Sequence, residues 1–327
     1  MKPDPALVGR FRDDVEKLTG HAPERLGIAV SGGPDSLALL LLAAVAYPGR
    51  VEAATVDHGL RAESADEAIH VARTCAQLGV GHTILEADWA EAPTANIQAE
   101  ARRARYDQLL WWANDKDIWP VATAHHLDDQ AETLLMRLAR GAGVPGLSAI
   151  RSRLVMEDDG DEVCFVRPLL GWRKQELIDL VLRAGLTPVD DRSNSDERFD
   201  RTAARALLAS TPWLEPERLA DAASHIAESD EALDWATREL LGDRLVWQQG
   251  PGGYVTIDAS GVPRELQRRL LLGGFAFFIH SGIHELPGPK LDRLLEALRA
   301  GRTATLAGVK AMPGPPWRLT LAPPRRT

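Results

Sequence analysis

The sequence predicts an α/β fold: a parallel sheet flanked by helices, followed by a smaller, mainly helical domain. Three observations predict it. A short apolar run, Leu26 to Val30, is joined by a glycine pair to a second apolar run, Leu37 to Ala46. Strand-like and helix-like segments then alternate to about residue 184, which implies parallel pairing through right-handed crossovers. The alternation breaks between residues 187 and 213, at Pro188, Asp190, Asp191 and Thr211-Pro212. A large domain over residues 1–210 and a small one over 211–327 follow from that break.

Each element has its own reason. Leu26 to Val30 reads as a buried strand and Leu37 to Ala46 as a buried helix. Val51 to Asp57 is a second strand. Ser64 and Glu67 form a capping box for a helix that Gly79 ends. Val80 to Ala87 is a third strand, Asn96 to about Ala113 a long helix, and Ile118 to Ala124 a fourth strand. Asp128 to Arg140 is helical, and Val163 to Val166 with Lys174 to Ala184 adds one more pair. Thr211 as N-cap and Pro212 as first helical residue start a helix running to Leu240. Strands at 245–247 and 253–257 and helices at 262–279 and 289–300 complete the small domain.

Composition bounds the function. The chain has 327 residues and a formal net charge of -9, so it is not a general nucleic-acid binder. The basic residues are nonetheless segregated. Four arginines and no acid lie between Thr133 and Met156, and from Pro289 onward there are eight Lys/Arg against Asp292 and Glu296. That pattern is compatible with RNA. The longest apolar run, Leu37 to Tyr47, is too short to span a bilayer, and the first residues carry no secretory signal. Cys75 and Cys164 make no metal or redox spacing, which places the protein in a reducing cytoplasm.

Ser31-Gly32-Gly33-Pro34-Asp35-Ser36 lies between strand and helix. Glycines let backbone approach a ligand, and a helix N-terminus presents N–H groups to an anion. Ser31 and Ser36 add hydroxyls, and Pro34 suits the first helical turn. Asp35 either caps the helix or holds a Mg²⁺ that bridges it to a polyphosphate. No Gly-Lys-Ser/Thr follows, so this is not a Walker A loop.

Thr123-Ala-His-His-Leu-Asp-Asp-Gln-Ala-Glu132 ends a strand with His125 and His126 and opens a helix with Asp128, Asp129 and Glu132. Asp129 and Glu132 share a helix face. The cluster is a packed helix start, a metallohydrolase-type set, or the acids of an ATP-activating site. Only the last explains why it shares the carboxyl edge of the sheet with Ser31 to Ser36 and with Val56-Asp57-His58. On the long helix, Arg102 and Arg105 share a face and suit phosphate or RNA, while Arg103 reads as solvated. The stretch from Asp190 to Arg205, read alone, is a surface loop. Gly141 to Gly146 matches G-x-G-x-x-G, but it follows a helix and reads as a helix stop with a flexible loop.

The loop at 31–36 resembles the PP-loop of the ATP pyrophosphatase superfamily. The whole set resembles the tRNA(Ile)-lysidine synthetase family: S-G-G-P-D-S (31–36), V-D-H-G-L-R (56–61), E-x-R-R-x-R-Y (100–106), T-A-H-H-L-D-D-Q-A-E-T (123–133), R-G-A-G-x-x-G-L-S (140–148), R-P-L-L (167–170), K-x-E-L (174–177) and D-x-S-N (191–194), then Phe199 and Arg201. The chain departs from the family's R-N at Thr202. The resemblance covers residues 26 to about 205 and only weakly the last third.

The resemblance implies a Rossmann-like PP-loop ATPase domain and a cytoplasmic ligase. Such an enzyme uses ATP to adenylate the wobble cytidine of a CAU-anticodon isoleucine tRNA at carbon 2, then joins free L-lysine there. The products are lysidine, AMP and pyrophosphate. It implies Ser31, Gly32, Gly33, Pro34, Asp35, Ser36, Val56 and His58 for ATP, Asp35 and Asp129 for Mg²⁺, and Asp129 and Glu132 for lysine. His125 and Arg105 join Asp35, Asp129 and Glu132 in catalysis. Arg102, Arg137, Arg140, Arg192, Arg201 and Arg205 are expected on tRNA. A homodimer is compatible with the reading, and a membrane is not. Rivals are a tRNA thiolase, for which no C-x-x-C is present, and a non-catalytic nucleotide or RNA module.

Overall fold

Apolar continuity decides the centre of the first unit. In the computed structural model, which describes residues 3–59, 64–86, 97–158, 160–189, 200–250, 252–279, 286 and 288–323, Leu26–Ala29 form strand β1 and Pro34–Ala46 form helix α2. The helix is apolar all round and almost wholly buried, as a helix covering a sheet must be. Before them lies α1, Pro5–Thr19, which the sequence reading left unassigned. Its signals are ordinary: an Asp4 N-cap bonded to the Ala6 N–H, Pro5 in the first turn, a left-handed Gly20, and Val8, Phe11 and Val15 on one buried face.

The chain divides into two units, Met1–Ala227 and Glu228–Thr327. The first continues with β2 (Val51–Asp57), α3 (Ser64–Gln77), β3 (Gly81–Glu86), α4 (Ile97–Asp115), β4 (Val121–Ala122), α5 (Leu127–Ala139) and the single turn α6 (Val144–Leu147). A hairpin, β5 (Arg153–Asp158) and β6 (Asp161–Val166), precedes α7 (Lys174–Ala184) and α8 (Asp200–Ser210). The sheet order is β3-β2-β1-β4-β6-β5. All pairs are parallel except β5 with β6, an antiparallel edge that the alternation did not announce. The fourth strand is shorter than its apolar stretch, since only Val121 and Ala122 pair with β1 and β6.

The sequence advances to one side of β1 through β2 and β3, then to the other through β4. That reversal is a topological switch point, where ligands bind in open α/β sheets. Residues 31–36 follow β1, and Thr123 to His126 follow β4, so both loops flank it.

The expected helix start at Pro212 is corrected. The Leu214 N–H donates to the Thr211 carbonyl at 2.9 Å, closing a turn. Helix α9 begins at Pro216 and runs to Arg244. The stretch before the turn, which includes Arg201 and Arg205, is helical as α8.

The second unit carries β7 (Leu245–Gln248), β8 (Tyr254–Ile257), α10 (Arg264–Phe275), α11 (Gly288–Arg299), β9 (Ala304–Leu306), β10 (Val309–Met312) and β11 (Trp317–Leu321). The strands form one antiparallel sheet, β7-β8-β11-β10-β9. Val255, Ile257, Val309, Ala311, Trp317 and Leu319 bury one face with Leu270, Phe275, Leu291 and Leu295 of the helices. The last three strands were not anticipated. Their basic residues were read as a charged segment, yet Lys310 and Arg318 alternate with buried neighbours on paired strands.

Candidate active site

The loop after β1 is shaped by hydroxyls and one glycine. Ser36 Oγ accepts from the Ser31 N–H at 3.2 Å and donates to the Gly33 carbonyl at 3.0 Å. Ser31 Oγ lies 3.3 Å from Ser36 Oγ. Gly32 adopts φ +88, and a Cβ there would come within 2.9 Å of Val189 Cγ2. Gly33 is the N-cap of α2 without a side chain to cover the helix start, and Pro34 opens its first turn. The first-turn N–H groups therefore face outward for an anion.

Asp35 sits in that first turn. Its Oδ2 lies 3.6 Å from His126 Nε2, and the same nitrogen lies 3.5 Å from Asp129 Oδ2. The backbone explains the convergence. His126 is the N-cap of α5, accepting from the Asp129 N–H while the Asp129 carboxylate accepts from the His126 N–H. Burial disfavours the charged ring of His126, but its close contact with Asp35 and the fields of Asp129, Asp35 and Asp128 push its pKa upward. Asp35 Oδ1 is buried and has no hydrogen-bond partner. An orphaned carboxylate oxygen beside an outward-facing helix start fits a cation. Among the described residues no three His, Cys, Asp or Glu side chains gather as a complete cage. Two carboxylates completed by phosphate oxygens are the ordinary setting of Mg²⁺.

Asp128 has another task. Its carboxylate accepts from the Lys174 N–H at 2.8 Å and pairs with Arg173 at 3.0 Å, tying α5 to the start of α7. Arg173 also pairs with Glu217. Glu132, one turn beyond Asp129, is nearly buried. It meets Arg205 Nε at 2.6 Å and Arg201 Nε at 3.2 Å. Two of the six arginines expected on tRNA thus turn onto the carboxylate expected for lysine.

His125 has the opposite surroundings. Its Nδ1 lies 3.0 Å from the Thr123 hydroxyl. Burial, then the charges of Arg167, Arg102, Arg201 and Arg105, pull its pKa down to about 3. The ring is neutral at physiological pH. His58, after β2, is pulled down to about 4 by burial and then Arg105, against Asp57. Val56 lies on β2, half-buried.

The remaining arginines divide. Arg102 is exposed, 5.1 Å from the Tyr106 ring centroid and 3.4 Å from its hydroxyl. Arg137 donates to the Gly146 and Ala149 carbonyls at 2.8 and 2.7 Å, so it ties down the glycine-rich turn. That turn is ordered by a left-handed Gly141 and by α6, not left as a plain loop. Arg140 is exposed. Arg192 lies outside the described residues. Sequence reasoning gave no role to Thr123, Tyr106, Arg167 or Arg173, although three of the four stand in the motifs quoted above. For Tyr106, Arg167 and Arg173 the contacts that give them work join segments 45 to 61 residues apart, whereas Thr123 meets His125 two residues on. Both cysteines are buried, and burial pushes the Cys75 thiol up to about 12. No helix among the described residues is long and apolar enough to cross a membrane.

Comparison with known proteins gives the family. Residues 8–211 match the PP-loop domain family. The tRNA(Ile)-lysidine synthase of Zymomonas mobilis is 44% identical over 94% of this chain and 92% of its own length. That of Novosphingobium aromaticivorans is 46% identical over 97% of this chain and 94% of its own. Among solved structures, a U34-tRNA thiolase from Methanococcus maripaludis with its [4Fe-4S] cluster matches with a TM-score of 0.54 at 18% identity, covering 68% of this chain and 78% of that one. That likeness shows the fold alone. With its PP-loop domain and relatives matched over nearly their whole length, the chain belongs to the tRNA(Ile)-lysidine synthase family.

Proposed function

We propose that this enzyme ligates free L-lysine to carbon 2 of the wobble cytidine of a CAU-anticodon isoleucine tRNA. ATP adenylates the cytidine and pyrophosphate leaves. The lysine amine then attacks carbon 2, loses a proton, and AMP leaves. Family membership supports the reading. The observation that carries it in the structure is the orphaned Asp35 oxygen beside an outward-facing helix start at the switch point.

The roles follow from chemistry. Ser31, Gly32, Gly33 and Ser36 hold the pyrophosphate end of ATP, with Pro34 setting the turn and Val56 and His58 lining the neighbouring strand end. Mg²⁺, held by Asp35 and Asp129, neutralises phosphate charge when bound. Asp129 and Glu132 receive the ammonium groups of lysine. His125, being neutral, offers the phosphate a hydrogen bond rather than a charge. The Thr123 hydroxyl lies 3.0 Å from Nδ1, and on this reading it donates there and leaves the ring proton on Nε2 for an anion. The positive charge comes from Arg105 and its neighbours. Arg102, Arg137, Arg140, Arg192, Arg201 and Arg205 are the candidates for tRNA contact.

Incubation with ATP, Mg²⁺, lysine and isoleucine tRNA, followed by mass spectrometry of the tRNA, tests the proposal. The expected product is a cytidine heavier by lysine less water, with AMP formation stimulated by lysine. Unmodified tRNA under conditions that release pyrophosphate would overturn the choice of lysine. Absence of any tRNA-dependent pyrophosphate release would overturn the reaction.

A further inference from the structure

Arg167 is 3% exposed and forms no ion pair among the described residues. It follows β6, and the parallel register of β6 with β4 brings it opposite Thr123: Val121 faces Phe165, Ala122 faces Val166, and the Thr123 N–H donates to the Val166 carbonyl at 3.0 Å. Its Nη1 donates to the Arg151 carbonyl at 2.5 Å and its Nη2 to the Tyr106 hydroxyl at 3.1 Å. Its Nε is buried with no partner. Tyr106 is wedged edge-on to Phe165, centroids 4.9 Å apart, and its hydroxyl also receives Arg102.

A buried guanidinium held only by neutral groups is a standing cost. Apolar side chains of like size commonly do better in such places. Two neutral acceptors explain where Arg167 points, and neither explains why it carries charge. The charge has a direction, however. Among the side chains that act on His125, Arg167 stands first, with Arg102, Arg201 and Arg105 after it. Arg167, Arg102, Arg201 and Arg105 all act on the His125 ring with the sign that draws an anion. Arg102 and Arg105 are exposed and so partly screened, whereas Arg167 is not.

We propose that Arg167 is a positioning residue of the adenylating site: a fixed buried cation that seats Arg102 through Tyr106 and adds unscreened positive charge where the phosphoryl group collects beside His125. The assignment rests on the reaction given above. It predicts a trade between stability and rate. Removing a charge that serves only the reaction leaves the fold as stable or more so, while the reaction slows.

The test uses the full chain and Arg167→Met, Arg167→Lys and Tyr106→Phe. In Arg167→Met, kcat for tRNA-dependent pyrophosphate release falls by about a hundredfold, the effect of removing one charge-stabilising donor, with an unchanged or raised Tm. Arg167→Lys recovers at least about tenfold of that loss, and Tyr106→Phe loses less than Arg167→Met. The His125 ring, followed by NMR of labelled histidine, titrates at higher pH in Arg167→Met. A lowered Tm with unchanged kcat, KM for ATP and His125 titration would make Arg167 purely structural and overturn the assignment. If Arg167→Met does not fold, full activity in both other variants overturns it, and graded losses support it. If the wild type releases no pyrophosphate at all, the reaction has failed rather than the cluster. Calorimetry with inorganic pyrophosphate then decides. Weakening by about tenfold in Arg167→Met, the scale of one lost charge-assisted interaction, supports the cluster, and unchanged binding sinks it.

Discussion

His125 and His126 are neighbours in sequence and stand in opposite electrostatic regions. His126 faces Asp35, Asp129 and Asp128 and is pushed toward its charged form. His125 faces Arg167, Arg102, Arg201 and Arg105 and is held neutral down to about pH 3. An extended backbone at the end of β4 turns successive side chains to opposite sides, and the two walls of the switch point supply opposite charges. The difference teaches that the site has two poles. The acidic pole suits cations, and in the proposed reaction those are the metal and the ammonium of lysine. The basic pole suits phosphoryl groups. A reaction that brings ATP and an amine together needs both, kept apart until the chemistry joins them.

The largest expected effect breaks the acidic pole at Asp35. Asp35→Ala removes a carboxylate whose Oδ1 is buried without a hydrogen-bond partner. Pyrophosphate release with tRNA and ATP falls by at least about a hundredfold, while circular dichroism shows an intact fold. Near-normal release would mean that Asp35 is only a helix-start residue. A smaller effect separates the two acids. Glu132→Gln raises the lysine KM by about tenfold, one charge-assisted contact of roughly 1.5–3 kcal/mol, and leaves the ATP KM nearly unchanged. A raised ATP KM with an unchanged lysine KM would move Glu132 to the metal.

The poles also predict a pH dependence. The His125 pKa is lowered in the fold, so between about 3 and the unfolded value of 6.5 the unfolded chain binds a proton that the native chain does not. The stability it contributes is present above 6.5 and is lost as pH falls below it. The slope is at most about 1.4 kcal/mol per pH unit for one such group. His58 adds in the same direction. Melting curves of His125→Asn between pH 4 and 7 should therefore be flatter than those of the wild type. Parallel curves would mean that the ring is not held neutral, and the contrast between the two poles would collapse.

How much of this was legible in the sequence depends on where the partners of a residue lie. The strand, glycine loop and helix at 26–46 announced themselves because the apolar runs, the serine hydrogen bonds of the loop and the Pro34 helix start are all local. The alternation gave the parallel sheet and, through it, the common edge of Ser31, His58 and His125. The poles did not follow. That Asp128 anchors α7 through Arg173 and the Lys174 N–H, and that Arg201 and Arg205 meet Glu132, are contacts between segments 45 to 73 residues apart. Helix α1 was legible in its Asp4-Pro5 cap and Gly20 and was overlooked. Strands β9 to β11 were hidden by length: three to five residues between glycine and proline turns carry too few alternations to outweigh their charges.

The smallest effect concerns the second unit and asks whether its sheet belongs to the basic pole's work. Its outer face carries Lys310 on β10 and Arg318 on β11, the latter 3.7 Å from the Tyr254 ring centroid on β8. Thr256 and Thr320 pair alongside them, and no acid lies on these three strands. In a chain of net charge -9, a basic sheet face with a stacked aromatic suits phosphate and base together. The expectation is that Lys310→Ala with Arg318→Ala weakens isoleucine tRNA binding and flattens its log–log salt dependence by about 0.7–0.9 for each phosphate no longer neutralised. ATP binding should be untouched, since the nucleotide roles all fall on the first unit. The competing account is that these charges only keep the sheet soluble. It predicts the wild-type salt slope, and in that case the exposed arginines of the first unit, Arg102 and Arg140, become the place to look for the RNA.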